Sequence, residues 1–126
     1  MNIPENLQYT KDHEWIKVDG NTGTIGISDF AQGELGDIVY VDIAPDLSDM
    51  TIGESFGTIE AVKTVSDLYA PVTGKVVEIN SKLTDEPQLI NTDPYGAGWI
   101  IKVELADPSQ LNDLLDPAAY KAQLGQ

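Results

Sequence analysis

Two β-prone runs separated by a single lysine constrain this chain most. Phe56, Thr58 and Ile59 precede Lys63; Val65, Leu68, Tyr69, Val72, Val76 and Val77 follow it. β-Branched and aromatic side chains suit a pleated, half-buried surface, and two such runs so close together predict a hairpin. Lys63 would then stand at the tip, held out in solvent. It is one of seven basic residues, and the chain has no arginine. The tip lacks the Asn-Gly or Asp-Gly pair that short hairpins favour. It places Val62 and Val65 beside the lysine, where a plain turn would be polar. A lysine on a rigid tip with apolar neighbours gives a modifying enzyme something to grip.

The remaining chain reads as more short strands with a few helices. At 126 residues it fits one domain, 1–126, with a core over about 9–105 and helices over about 107–124. Strands are expected at Tyr9–Thr10, Glu14–Val18, Gly23–Ile27, Asp37–Ile43, Ser55–Glu60, Val65–Tyr69, Gly74–Ile79 and Trp99–Leu105, with 46–50 as a loop. Ser28 can cap a short helix through Asp29–Gln32, punctuated by Gly33 and Gly36. Another helix is expected near Pro87. Asp107-Pro108-Ser109-Gln110 has the form of a capping box, and Asp116-Pro117 repeats the cap and proline before a helix stopped by Gly125. Gly96 and Gly98 beside Trp99 predict backbone lying close to an aromatic ring. An internal echo is also present. Gly36-Asp37-Ile38-Val39-Tyr40-Val41 parallels Gly74-Lys75-Val76-Val77-Glu78-Ile79, Leu47-Ser48-Asp49 parallels Leu83-Thr84-Asp85, and Ile52 parallels Ile90. Two related β units of this kind can pack face to face as a flattened sandwich.

Composition removes several classes of function. There is no cysteine, hence no disulfide framework, thiol nucleophile or thiolate metal site. The single histidine, His13, would need carboxylates to complete a zinc site, and no acidic cluster has recognisable spacing. A formal charge of −14 makes nucleic acid and anionic membrane poor partners. It suits solubility and short encounters with proteins that bear basic patches. No apolar run reaches the length of a membrane span, and Met1–Gln8 lacks the features of a signal or transit peptide, so a cytoplasmic protein is expected. No enzyme site emerges. Ser66, Asp67 and His13 could be named as a triad, but no nucleophile elbow supports it. His13 reads more simply as a half-buried hydrogen-bonding residue.

Glu60-Ala61-Val62-Lys63-Thr64-Val65-Ser66-Asp67, followed by Ala70-Pro71-Val72-Thr73-Gly74, resembles the lipoyl-attachment segment of the glycine cleavage system H-protein family. Four further stretches agree, in order: Tyr9 to Trp15, Gly23 to Ser28, Leu35 to Val41, and Asn91 to Trp99. Ala61 departs from the serine frequent in that family, while Lys63 and its apolar neighbours remain. The resemblance covers nearly the whole chain. It implies a mostly β, barrel-sandwich hybrid of the lipoyl- and biotinyl-carrier type, with short helices including the C-terminal ones. It implies lipoate joined covalently to Lys63 in a carrier with no catalysis of its own.

The same resemblance implies partners. A pyridoxal-phosphate glycine decarboxylase (P protein) would load the aminomethyl group of glycine. An aminomethyltransferase (T protein) would pass the one-carbon unit to tetrahydrofolate. A dihydrolipoyl dehydrogenase (L protein) would take the electrons, and a separate lipoate-attaching enzyme would modify Lys63. The loaded arm ends in a cation, and Glu14 and Asp67 lie in matching family segments as the carboxylates expected to hold it; each could equally be an ordinary surface group. Two other readings use the same lysine. One is an H-like relay that donates its lipoyl or octanoyl group to other complexes. The other is a biotinyl carrier, against which stand Val62 and Thr64 where biotin-accepting lysines usually have methionines.

Overall fold

Alternation decides which side of each strand faces inward. In Ile101–Leu105, Ile101, Val103 and Leu105 are buried while Glu104 faces water. The computed structural model describes residues 2–125. Its strands are β1 (Gln8–Tyr9), β2 (Glu14–Asp19), β3 (Thr22–Ile27), β4 (Ile38–Asp42), β5 (Asp49–Met50), β6 (Ser55–Ala61), β7 (Val65–Tyr69), β8 (Gly74–Ile79) and β9 (Ile101–Leu105). They form two antiparallel sheets, β1-β2-β3-β9-β8-β5 and β4-β6-β7. Ile16, Ile25, Val103 and Leu105 of the larger sheet share one apolar cluster with Ile38, Phe56, Ile59 and Leu68 of the smaller. Fully burying side chains of this size contributes about 1.5–3 kcal/mol each before entropy is charged. The mostly β sandwich expected from the sequence is therefore observed, with the sheets not closed into a barrel.

A second cluster, Ile3, Leu7, Tyr9, Trp15 and Tyr120, fastens the chain ends onto the larger sheet. Tyr9 and Tyr120 stack with ring centroids 4.4 Å apart and planes 3° from parallel. Tyr120 belongs to the last helix, α4 (Pro117–Gln123), whose cap is Asp116 accepting from the Ala119 N–H. The first helix, α1 (Asp29–Leu35), is capped by Ser28, whose Oγ accepts from the Ala31 N–H at 3.2 Å. It runs through Gly33 and stops at Gly36, one turn beyond the expected end.

Several local expectations need correction. The 46–50 loop contains β5, because Asp49 and Met50 pair with Lys75 and Gly74. Two one-turn helices, α2 (Lys82–Asp85) and α3 (Leu89–Thr92), stand where only one was expected. The late strand begins at Ile101, since the Gly98 and Trp99 N–H groups fold back to Asp93 and Gly96 carbonyls at 2.8 and 3.1 Å. Gly96 and Gly98 crowd the Asp93 carboxylate and the α3 backbone rather than a ring. It is Gly26 that meets an aromatic face: a Cβ there would lie 2.7 Å from the Trp15 indole. After Asp107 comes a 3-10 helix, Pro108–Asp113, with Asp107 capping the Ser109 N–H. Gln110 does not close a capping box; its Oε1 accepts from the Thr73 N–H at 2.8 Å.

The internal echo has a structural counterpart. β4 bulges between Ile38 and Tyr40, and β8 bulges between Val76 and Glu78, at corresponding positions. The extra residues, Val39 and Val77, both face solvent. The parallel ends there: Ile90 is buried in α3, whereas its counterpart Ile52 is exposed.

Candidate functional site

β6 and β7 pair as far as Glu60 opposite Val65, and Val62-Lys63-Thr64 makes the turn. The Ala61 N–H donates to the Thr64 carbonyl at 2.8 Å and closes it. The Val62 N–H donates to the Asp37 carbonyl at 3.0 Å, which ties the tip to the segment between α1 and β4. Lys63 is exposed. Val62 and Val65 are 73% and 62% exposed, so the apolar flank of the lysine is an outward surface. Inward, the lysine stem crosses Gly36: a Cβ there would sit 3.3 Å from the Lys63 Cε. Gly36 has φ 79° and ψ −156°, a region open essentially to glycine alone. The far end of the lysine stem therefore lies at the C-terminal end of α1.

Along that helix runs a cleft of about 420 Å³. Phe30, Ala31, Glu34 and Leu35 of α1 form one wall, Asp12, His13 and Glu14 another, and Ile59, Ser66, Asp67 and Leu68 of the lysine hairpin a third. Of the three residues singled out in the sequence, Glu14 and Asp67 line this cleft; Lys63 stands outside it on the tip.

The two carboxylates differ in setting. Glu14 is 2% exposed. Its Oε1 accepts from the Thr10 hydroxyl at 2.7 Å and its Oε2 from the Tyr69 N–H at 3.2 Å. Burial pushes its pKa up to about 7, against the pull of those two hydrogen bonds and with a small push from Asp12. Asp67 is exposed, and its Oδ1 accepts from the Ser55 hydroxyl at 3.3 Å. Glu14 also borders a second cleft, about 360 Å³, between Tyr69, Pro71 and Leu114, so its carboxyl group stands in the partition between two openings.

His13 is half-buried and takes part in a hydrogen bond, with Nδ1 2.9 Å from the Tyr120 Oη. Its φ of 71° is left-handed, and its ring lies 4.8 Å from Phe30. Burial holds its pKa below the ordinary histidine value, against the opposing pull of Asp12 and Glu34. His13, Ser66 and Asp67 do share the cleft, but no hydrogen bond joins the histidine to either; Ser66 Oγ turns to the Asp67 carbonyl at 3.4 Å. They form no triad. No group of three or more potential metal ligands occurs among the described residues, and no helix among them is long and apolar enough to cross a membrane.

Phe30, Glu34 and Leu35 were not singled out in the sequence. The pairs Phe30/Glu34 and Ala31/Leu35 are spaced i, i+4 and share a helix face, so their clustering was readable once the helix reached Leu35. Tyr120 had no local signal, being 107 residues from His13.

A family model described as glycine cleavage H-protein matches residues 7–126. The glycine cleavage system H protein of Staphylococcus carnosus is 55% identical over 126 residues, covering all of both chains. That of Symbiobacterium thermophilum is 55% identical over 121 residues, covering 96% of this chain and 94% of its own. The crystal structure of a glycine cleavage system H protein from Mycobacterium marinum superposes with a TM-score of 0.89 at 40% identity, covering 98% of this chain and all of that one. With this fold, this exposed tip lysine and these relatives along its whole length, the chain belongs to the glycine cleavage H-protein family.

Proposed function

We propose that all 126 residues act as one carrier domain, in the cytoplasm, with lipoate held as an amide on Lys63. The carrier takes the aminomethyl group of glycine from the P protein, delivers it to the T protein, and yields electrons to the L protein; a separate enzyme attaches the lipoate. The observation that carries this reading is the exposed Lys63 tip, anchored through Val62 to Asp37, with its stem against Gly36, next to the Leu35 wall of a cleft that a buried acid also lines. When bound, lipoate supplies a disulfide that accepts two electrons and a one-carbon fragment.

The chain's own residues do three things. The tip presents Lys63 with Val62 and Val65 as an apolar grip. In attachment the Lys63 ammonium gives up two protons and keeps one, its nitrogen bonds the lipoyl carboxyl carbon, and the activating group leaves that carbon. The cleft walls of Phe30, Leu35 and Leu68 exclude water from the cargo. Glu14 supplies a negative charge where the cationic cargo would rest, and that cation in turn favours the ionised carboxylate. Asp67 adds an exposed charge at the rim.

Intact-mass measurement on protein from its native host, followed by peptide mapping, tests the reading. One lipoyl increment on the Lys63 peptide is expected. Lipoate on Lys75, or unmodified protein in a host competent for lipoylation, would sink it. With the partner enzymes removed, the lipoylated protein should release no carbon dioxide from glycine.

A further inference from the structure

Ser28, Tyr120 and His13 form a buried hydrogen-bond chain whose direction is determined by its inner end. Ser28 is 0% exposed, and its Oγ accepts from the Ala31 N–H. Its own proton has one acceptor among the described residues, the Tyr120 Oη at 2.7 Å. The Tyr120 proton then goes to His13 Nδ1 at 2.9 Å, so that nitrogen is bare and the ring proton sits on Nε2. Nε2 has no partner among the described residues and is not sealed from solvent, since no buried side-chain nitrogen or oxygen among them is left unpaired.

If Nδ1 were protonated, it would need the Tyr120 oxygen as acceptor. Either the Ser28 or the Tyr120 hydroxyl proton would then be left without a partner in a dry site, a costly arrangement. Burial also pushes the Tyr120 phenol upward, so it stays a donor.

We propose that Tyr120, driven by Ser28, is a positioning residue that holds His13 as a neutral ring with its proton on Nε2, and so keeps a competing cation out of the cleft that holds the cargo. The second half of this proposal rests on the carrier reading above. Every charged group facing His13 works in the opposite direction. Asp12 and Glu14 flank it in sequence, Glu34 approaches from α1, and Asp67 faces it from β7. Asp12 and Glu34 pull the ring toward its charged form while burial opposes them, and a protonated ring would repel a cationic cargo. The wire reaches the cleft from α4, and the same Ser28 caps the helix that forms the cleft wall.

His13 is the chain's single histidine, so its ring nitrogens are read without ambiguity in a proton–nitrogen correlation spectrum of the full-length lipoylated protein. The wild type should show the neutral Nε2–H tautomer. Tyr120→Phe keeps the stack on Tyr9 but removes the donor, and should raise the His13 titration midpoint by about one pH unit, a tenfold change in proton affinity. Ser28→Ala leaves His13 Nδ1 as the one acceptor for the Tyr120 proton among the described residues, so the Nε2–H tautomer should persist and the midpoint should not rise. The decay of the cargo-loaded form is followed in parallel. The ratio of the Tyr120→Phe rate to the wild-type rate should be near one at pH 8 and climb as pH falls toward 6. An unmoved tautomer and midpoint in Tyr120→Phe, or a raised midpoint in Ser28→Ala, overturns the wire. A moved midpoint with a flat decay ratio overturns its role toward cargo. Glu14→Gln separates the two readings: a loaded form that decays as in the wild type overturns the carrier cleft itself, whatever His13 does.

Discussion

The lysine tip and the cleft beside it are built on opposite plans. The tip is three consecutive residues on one hairpin, exposed, apolar at its flanks, and held by backbone hydrogen bonds alone. The cleft draws on α1, the start of β2, β6 and β7, and its ionisable groups are positioned by Thr10, Tyr69 and Tyr120, residues far from one another in sequence. A site that must be found by several enzymes gains from exposure and a rigid backbone. A site that must shelter a cation gains from burial and from charges positioned in advance. Gly36, under the lysine stem and next to the cleft-lining Leu35, is where the two regions meet.

The sharpest way to separate the two regions is Lys63→Arg. The charge is kept, no tertiary hydrogen bond is lost, and the exposed tip has room. Lipoylation should disappear entirely by intact mass. The His13 spectrum and the thermal midpoint should stay at wild-type values, because nothing in the cleft depends on the lysine head. Residual modification, or a perturbed His13, would mean that attachment and shelter are not separable.

Glu14→Gln probes the other region. Removing the buried charge forfeits a charge-assisted contact worth about 1.5–3 kcal/mol, so the loaded form should decay roughly tenfold faster or more. Stability should move the opposite way. The folded-state pKa is raised, from 4.5 to about 7, so the folded protein binds the proton more tightly than the unfolded chain does. The stabilisation from the protonated group is fully present below about 4.5 and is lost as pH rises to about 7, amounting to roughly 3 kcal/mol at most. Wild-type stability should thus carry a declining component across that window, and Glu14→Gln should lack it and melt higher at pH 8. A variant that melts with the wild type at pH 8 and shows the same pH slope would place the carboxylate in water.

Gly36→Ala breaks the connection between the regions. Its φ of 79° with ψ −156° costs a non-glycine residue about 1–3 kcal/mol, and the new Cβ would lie 3.3 Å from the Lys63 Cε. The thermal midpoint should drop and lipoylation should slow without being abolished. Unchanged stability would mean that the segment relaxes freely, and that the lysine stem has no fixed path.

The contrast also explains what was legible in the sequence. Lys63, its hairpin and Val62 and Val65 could be read because strand propensity and a local turn suffice to place them. The capping serine and the paired bulges at Val39 and Val77 had local or repeated signals. Glu14 and Asp67 were named together, yet their environments were not readable: burial of Glu14 depends on Tyr69 arriving 55 residues later. β5 was missed because two residues pair only when β8 passes beside them. Gln110 looked like a helix cap and instead serves the Thr73 backbone, a tertiary partner outweighing a local pattern. The His13–Tyr120 link spans most of the chain and left no mark in either segment.

Asp67→Asn should have the smallest effect, and its size tests whether the cleft has one acid or two. Asp67 is exposed, and its Ser55 contact is long at 3.3 Å. An exposed charge pair contributes about 0–1 kcal/mol, so the loaded form should decay less than about fivefold faster than the wild type. Salt sharpens the distinction. Screening reaches down to about 3 Å at 1 M ionic strength and acts on exposed charges first. Raising salt in the wild type should therefore reproduce the Asp67→Asn decay and leave the larger Glu14 contribution mostly intact. In Asp67→Asn itself, added salt should change little. If Asp67→Asn instead matched Glu14→Gln in decay and in salt response, the cargo would rest at the rim between both acids, and the division between an outer tip and an inner shelter would have to be redrawn around β7.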